Sequence, residues 1–274
     1  MSIFDPSLET KGITGIKALK KKFPGNTPIY VVFNLVSPLL PSKDYTPRII
    51  AVPHAIAKLE DRSILLITKD PSTPYAHLND RGQPTEDVFN AIYSFKRLRS
   101  EAKRHSNLVK LFKEYDIVVA DFRIHKFLPS VLGEVFYVKN KKIPFKIQMA
   151  RPSPTAALTK DKTNKFKDSR CEPKYVRHQI KLIAENTYFI PPAQGNCMVV
   201  KAGHSNMPAD HIIANIRAII DYLTNQKFRP VGGLAEANSI ESIFVKTSDS
   251  VSIPVFVKEK VDDADQQDDS DFDF

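Results

Sequence analysis

The chain has 274 residues, 42% of them hydrophobic, enough apolar material to bury a core in one large domain or two ordinary ones, which excludes a disordered protein. Its formal net charge of +9 understates the basicity of the body: Asp262 to Phe274 carry seven aspartates and no base, so residues 1–261 hold +16. A surface of that sign draws polyanions, nucleic acid above all, with plain solubility as the alternative. The only cysteines are Cys171 and Cys197, too few for a disulfide framework or a metal knot, which fits a reducing compartment.

In chain order, Leu8 to Lys22 places Leu8, Ile13, Ile16 and Leu19 among lysines and predicts a short amphipathic helix ended by Pro24 and Gly25. Charges at Asp5, Glu9 and Lys11 stand where a secretory signal would need its apolar core. Two β-like runs follow, Ile29 to Leu35 and Arg48 to Val52, joined by a long loop with Pro38, Pro41 and Pro47. After Val52-Pro53-His54-Ala55 the pattern becomes strand, helix, strand, helix: Ile64 to Thr68, Glu86 to Phe112, Ile117 to Ala120, His125 to Leu132. That alternation predicts a small α/β domain. The longest apolar runs, such as Ile64 to Ile67, fall far short of the ~20 residues that span a bilayer.

Pro152, Pro154 and Lys160 to Lys167 read as a hinge. A helix over Lys174 to Ala184 then leads to a predicted hairpin, Thr187 to Ile190 and Cys197 to Lys201, turning through Pro191 and Pro192. From Pro208 to Thr224, an apolar stripe of Ile212, Ile213, Ile216, Ile219, Ile220 and Leu223 predicts a helix that lies on a sheet or another helix, with Pro208 in its first turn. Strands at Ser242 to Thr247 and Ser252 to Val257 close the folded part, and the aspartates after them predict a disordered tail.

Enzymatic motifs are missing. The nine glycines form no phosphate-binding loop, dinucleotide fingerprint or nucleophile elbow, and the seven histidines lack ligand spacing. The expectation is a protein with no catalytic residue, metal, cofactor or small-molecule substrate. Positive charge is the stronger signal. Lys96, Arg97, Arg99, Lys103, Arg104, Lys110 and Lys113 mark a helix that either tracks a phosphate backbone or presents an ordinary solvated face. Between Lys139 and Lys181, thirteen bases face three acids, a density that points to phosphate contact and to a nuclear import signal. Lys139, Lys141, Lys142, Lys146 and Arg151 are the candidates there. Phe23, beside Lys20, Lys21 and Lys22, either stacks on a base or packs in the core. Thr247, Ser248 and Ser250 either donate to phosphate oxygens or form an ordinary turn.

Several of these runs, in order, resemble the ribosomal protein L-one family: Ile29 to Leu35, then Pro47 to His54, then Ser63 to Lys69, then Tyr115 to Ala120 with the helix at Leu128 to Gly133, and finally Met207 to Ile219. The resemblance implies a two-domain α/β fold. Residues 1–60 and 171–260 would form a split α/β domain from both chain ends, residues 61–150 an inserted Rossmann-like domain, 151–170 a basic hinge and 261–274 a disordered acidic tail. It also implies that Phe23 and the turn from Thr247 to Ser252 face rRNA. That turn lacks the family's Met-Gly pair and carries Asp249, and the family's glycine-rich loop in the inserted domain is replaced by Phe136 to Pro144 with its lysines. Both departures resemble the nucleolar paralogues of the family. They imply a non-enzymatic assembly factor of nucleus and nucleolus, a monomer within a large ribonucleoprotein and away from membranes. Its partners would be pre-rRNA and pre-ribosomal proteins, those of the small-subunit processome foremost, with a large-subunit stalk protein or a protein adaptor as alternatives.

Overall fold

The computed structural model describes residues 6–40, 44, 46–139, 142–153, 159–160, 166–167, 170–192, 195–236 and 239–258. The acidic run 262–274, expected to be a disordered tail, lies outside the described residues, as does most of the expected hinge.

One antiparallel sheet has the order β10-β1-β11-β12, built from β1 (Pro28–Leu35), β10 (Cys197–His204), β11 (Ile240–Lys246) and β12 (Ile253–Val257). Its strands alternate as a half-buried sheet must. Ile29, Val31, Phe33, Val200, Ile243 and Val245 point into one core, under helices α1 (Pro6–Lys22) and α7 (Ala209–Thr224). The six apolar stripe positions expected on α7 are all buried. Gly12 lets α1 lie close, since a Cβ there would come within 2.5 Å of Ile213 Cδ1.

A second sheet is parallel, in the order β4-β3-β5-β6, from β3 (Ile64–Thr68), β4 (Ala91–Ser94), β5 (Ile117–Asp121) and β6 (Phe145–Ile147). Every residue of β3 is buried because both faces are covered. Ile64 and Leu66 pack with Val119, Phe145 and the helix α6 (Pro173–Glu185) through Val176, Ile180 and Ile183. Leu65 and Ile67 pack on the other side with α2 (Phe95–Glu101), α3 (His105–Glu114) and α5 (Leu128–Glu134) through Leu98, Leu108, Leu111 and Leu132. Between the sheets, β2 (Arg48–Ile50) pairs with β9 (Thr187–Phe189). The α/β class expected from the alternation is the one adopted.

Three expectations differ from this arrangement. The long helix over Glu86 to Phe112 is a strand and two short helices: Ala91-Ile92-Tyr93-Ser94 adds in parallel to Leu65–Thr68, and Ser94 Oγ then accepts from the Arg97 N–H to cap α2. The helix at His125 to Leu132 is divided into Phe122–His125 and Leu128–Glu134. The hairpin of Thr187 to Ile190 with Cys197 to Lys201 is not a ladder; β9 pairs with β2 and β10 with β1, and Thr187 Oγ reaches across to the Lys201 carbonyl at 2.7 Å. Helix α6 shares its core with the parallel sheet.

After α7 the chain turns back on the helix end at Gly233, whose φ is +62° and whose N–H donates to the Tyr222 carbonyl. A Cβ at this position would stand 2.4 Å from the Asn225 carbonyl oxygen. Gly233→Ala is therefore expected to lower folding stability by about 2–3 kcal/mol, from left-handed strain plus the backbone clash. A urea midpoint equal to that of the unaltered protein would refute this.

Candidate nucleic-acid interface

The topology gathers several of the expected RNA-facing residues at one end of the antiparallel sheet. Lys20, Lys21 and Lys22 form the last turn of α1, where cations complement the helix dipole. Lys21 and Lys22 are exposed, while Lys20 is half-buried and donates from Nζ to the Met207 carbonyl at 2.5 Å. Phe23 follows, half-buried, with one side on the core and Lys22 Nζ 5.8 Å from its ring centroid. The chain then turns at Gly25, at φ +104°. Ser205 fixes this turn: its N–H donates to the Thr27 carbonyl, its hydroxyl to the Gly25 carbonyl at 2.7 Å, and its Oγ accepts from the Thr27 N–H.

The β11–β12 turn lies at the same end, because Tyr30 near the start of β1 stands opposite Lys246 near the end of β11. Within it, Ser248 and Asp249 are exposed. Ser250 Oγ accepts from the Thr247 N–H at 2.9 Å and donates to the Val251 carbonyl, so that hydroxyl holds the turn. Thr247 is fully buried, and its hydroxyl has no partner among the described residues. Of the three hydroxyls expected at RNA, Thr247, Ser248 and Ser250, Ser248 is the one presented to solvent.

The parallel sheet carries a second set of cations. Lys96, Arg97, Arg99, Lys103, Arg104, Lys110 and Lys113 are all exposed, since Leu98, Leu108 and Leu111 take the buried positions of α2 and α3. Lys146 projects from the edge strand β6 between buried Phe145 and Ile147. Arg151 is exposed, 5.6 Å from the Tyr175 ring centroid. Lys139 ends a single helical turn, and Lys141 lies outside the described residues.

Lys142 has a different environment. Its ammonium donates to the carbonyls of Phe112 and Tyr115 at the end of α3 and lies 4.0 Å from the Phe112 ring centroid; burial holds its pKa below the usual lysine value. Lys142→Met is expected to cost about 1–2 kcal/mol of stability, as loss of a helix-end cap does, and to leave RNA affinity unchanged. A salt-dependent loss of affinity without destabilisation would contradict that assignment.

At the C-terminal edge of the parallel sheet, where ligands of open α/β sheets bind, charged groups pair with one another. Buried Asp121 at the end of β5 is paired with Arg123, which also donates to the Tyr75 hydroxyl. Burial pushes the neighbouring Cys171 thiol up to about 11, which keeps it protonated.

Two features lay beyond the reach of sequence patterns. Asn215, buried in α7, accepts from the His54 N–H and donates to the carbonyls of His54 and Ala202, joining the Pro53-His54 corner to β10. The His54 ring stacks on His211 at 3.7 Å. In addition, a cleft of 770 Å³ separates the outer face of the antiparallel sheet from the N-terminal edge of β5, with Tyr30, Arg62, Tyr188 and Lys201 among its walls. The only sequence signal for the cleft is a pair of polar residues, Tyr30 and Lys201, at outward positions of their strands.

Among known proteins, the chain is 38% identical over 230 residues to Ribosome biogenesis protein UTP30 of Saccharomyces cerevisiae, spanning 83% of this chain and 80% of that protein. It is 26% identical over 230 residues to mouse Ribosomal L1 domain-containing protein 1, spanning 79% of this chain but 42% of the mouse protein. A putative ribosome biogenesis protein of Schizosaccharomyces pombe is 24% identical over 231 residues, spanning 84% of this chain and 71% of that protein. The sequence model of the ribosomal protein L1p/L10e family matches residues 16–251. By that match, the chain belongs to the ribosomal protein L1p/L10e family.

Proposed function

We propose that this protein is a non-enzymatic assembly factor that binds rRNA within nucleolar pre-ribosomes, those of the small-subunit precursor in particular. The observation that carries the reading is the end of the antiparallel sheet where exposed Lys21 and Lys22, half-exposed Phe23 and the Ser248 hydroxyl lie together. Cations position a phosphate backbone, an aromatic ring stacks on a base or ribose, and a hydroxyl donates to a phosphate oxygen. The exposed cations of α2 and α3, with Lys139, Lys141, Lys146 and Arg151, extend the contact by charge. The names of the yeast relatives support the assembly role.

Asp249, exposed in the turn, places a negative charge beside any phosphate bound there, which favours a transient assembly contact over a permanent one. Sucrose-gradient sedimentation of cell extract tests the reading. The protein should travel with precursor particles and be absent from polysomes; stoichiometric presence in polysomes would instead make it a stalk protein of the finished ribosome.

A further inference from the structure

The cleft between the two sheets holds two cations without a carboxylate partner. Arg62 and Lys201 both line it, and among the described residues neither side chain forms an ion pair or hydrogen bond. The buried Nε–H of Arg62 has no acceptor. The carboxylates that also line the cleft are engaged elsewhere. Asp44 pairs with Arg48 at 3.1 Å, and Asp116 accepts from the Ser63 N–H and hydroxyl at 3.1 and 3.0 Å.

Two like charges in a half-dehydrated cleft repel each other. Burial and the nearby Arg62 hold the Lys201 ammonium below its usual pKa, while Asp116 opposes the shift. An oxyanion entering the cleft would relieve the repulsion and give the Arg62 Nε–H an acceptor.

The rest of the wall indicates what carries that anion. Tyr30 stands directly opposite Lys201 in the β1–β10 ladder, and Tyr188 is held edge-on by Phe145 with ring centroids 5.0 Å apart. A volume of 770 Å³ matches sites for single small molecules, about 300–1,000 Å³, and admits a nucleotide or two but not a duplex. Unpaired RNA is read by aromatic stacking together with phosphate contacts. Beyond Lys201 on the same strand, the His204 ring nitrogen is 3.4 Å from the Asn26 carbonyl, and its pKa is lowered by burial and then by Lys201.

The geometry points to a phosphate subsite in this cleft, where Arg62 and Lys201 grip one phosphodiester of an unpaired RNA segment whose base lies against Tyr30 or Tyr188. This rests on the reading of the protein as an RNA binder and adds that it takes an unpaired strand as well as the sheet-end contact.

Binding of a fluorescein-labelled uridylate octamer to the full chain, read by anisotropy, tests it. The double variant Arg62→Gln, Lys201→Met should weaken binding on the order of thirtyfold, as losing two charge-assisted contacts does. Its melting midpoint should hold or rise, because two repelling charges are gone; a residue pair with a merely structural role would lower it. Ultraviolet crosslinking of the octamer to the unaltered protein should yield peptides containing Tyr30 or Tyr188, and this decides the matter if the variant does not fold. Unchanged affinity in the double variant, with binding lost in Lys21→Gln, Lys22→Gln and crosslinks confined to residues 20–27 and 247–252, would overturn the subsite and leave the proposed function standing. Occupation of the cleft by an aspartate octapeptide in place of the uridylate octamer would overturn it too. An unaltered protein that binds neither the octamer nor a structured rRNA fragment would remove both proposals.

Discussion

Replacing Asn215 by leucine is expected to cost about 4 kcal/mol of folding stability and to lower the melting midpoint by about 10 °C. Asn215 is fully buried, and its amide forms three hydrogen bonds of 2.9–3.0 Å with backbone groups. One partner is the Ala202 carbonyl, at the point where the β1–β10 register steps from Gly203 to Lys201, so Ala202 has no opposite residue in the ladder. Such a bulge interrupts ladder pairing, and the amide of Asn215 supplies the partner. Leucine would leave three backbone groups dehydrated and unpaired, each costing roughly 1–3 kcal/mol, partly offset by its own burial. It would also release the corner at His54, where the chain leaves β2 for the parallel sheet. Urea denaturation checks this, and a change below about 1 kcal/mol would mean that the corner is held by other contacts.

The second large effect concerns affinity. The triple variant Lys21→Gln, Lys22→Gln, Phe23→Ala should bind rRNA about 100-fold more weakly at physiological salt, from two lost phosphate contacts and a lost stacking partner. The logarithmic salt slope should become shallower by about 1.5, since each phosphate contact contributes about 0.7–0.9. Phe23 also packs on the core, so part of the substitution appears as reduced stability. Lys21→Gln, Lys22→Gln without the Phe23 change separates the two, because both lysines are exposed. If that double variant keeps the full slope, the sheet end makes no phosphate contact.

How much of this was legible depends on whether local sequence or distant partners decide the structure. Helices α1 and α7 and strands β1, β3 and β5 follow from apolar periodicity, and their observed limits lie close to the expected ones. The segment Ala91–Ser94 did not, because it sits next to the helical run of α2 and becomes a strand only when it pairs with β3. Strands β9 and β10 are close in sequence, yet each finds its partner more than a hundred residues away, so proximity suggested a hairpin that does not form. Asn215 occupies a position in the apolar stripe of α7, between Ile212 and Ile219, where composition shows only a polar interruption. Its role depends on two backbone sites that the sequence does not bring near it.

The candidate site was partly legible for the same reason. Lys21, Lys22 and Phe23 are contiguous, and the structure leaves the two lysines exposed. Thr247 and Ser250 looked equivalent to Ser248 as turn hydroxyls, but burial of the first and the internal bonds of the second distinguish them. Lys142 looked like its neighbours in a basic run, and only the fold turns it toward the end of α3. Charge density identifies a region that attracts phosphate; it does not identify which ammonium is free to meet one.

Crosslinking the protein to RNA in growing cells and sequencing the attached fragments tests the central claim most directly. Reads concentrated in precursor rRNA, with small-subunit and spacer sequences foremost, are the predicted result. Reads confined to the mature large-subunit stalk, or no enrichment of rRNA at all, would contradict it.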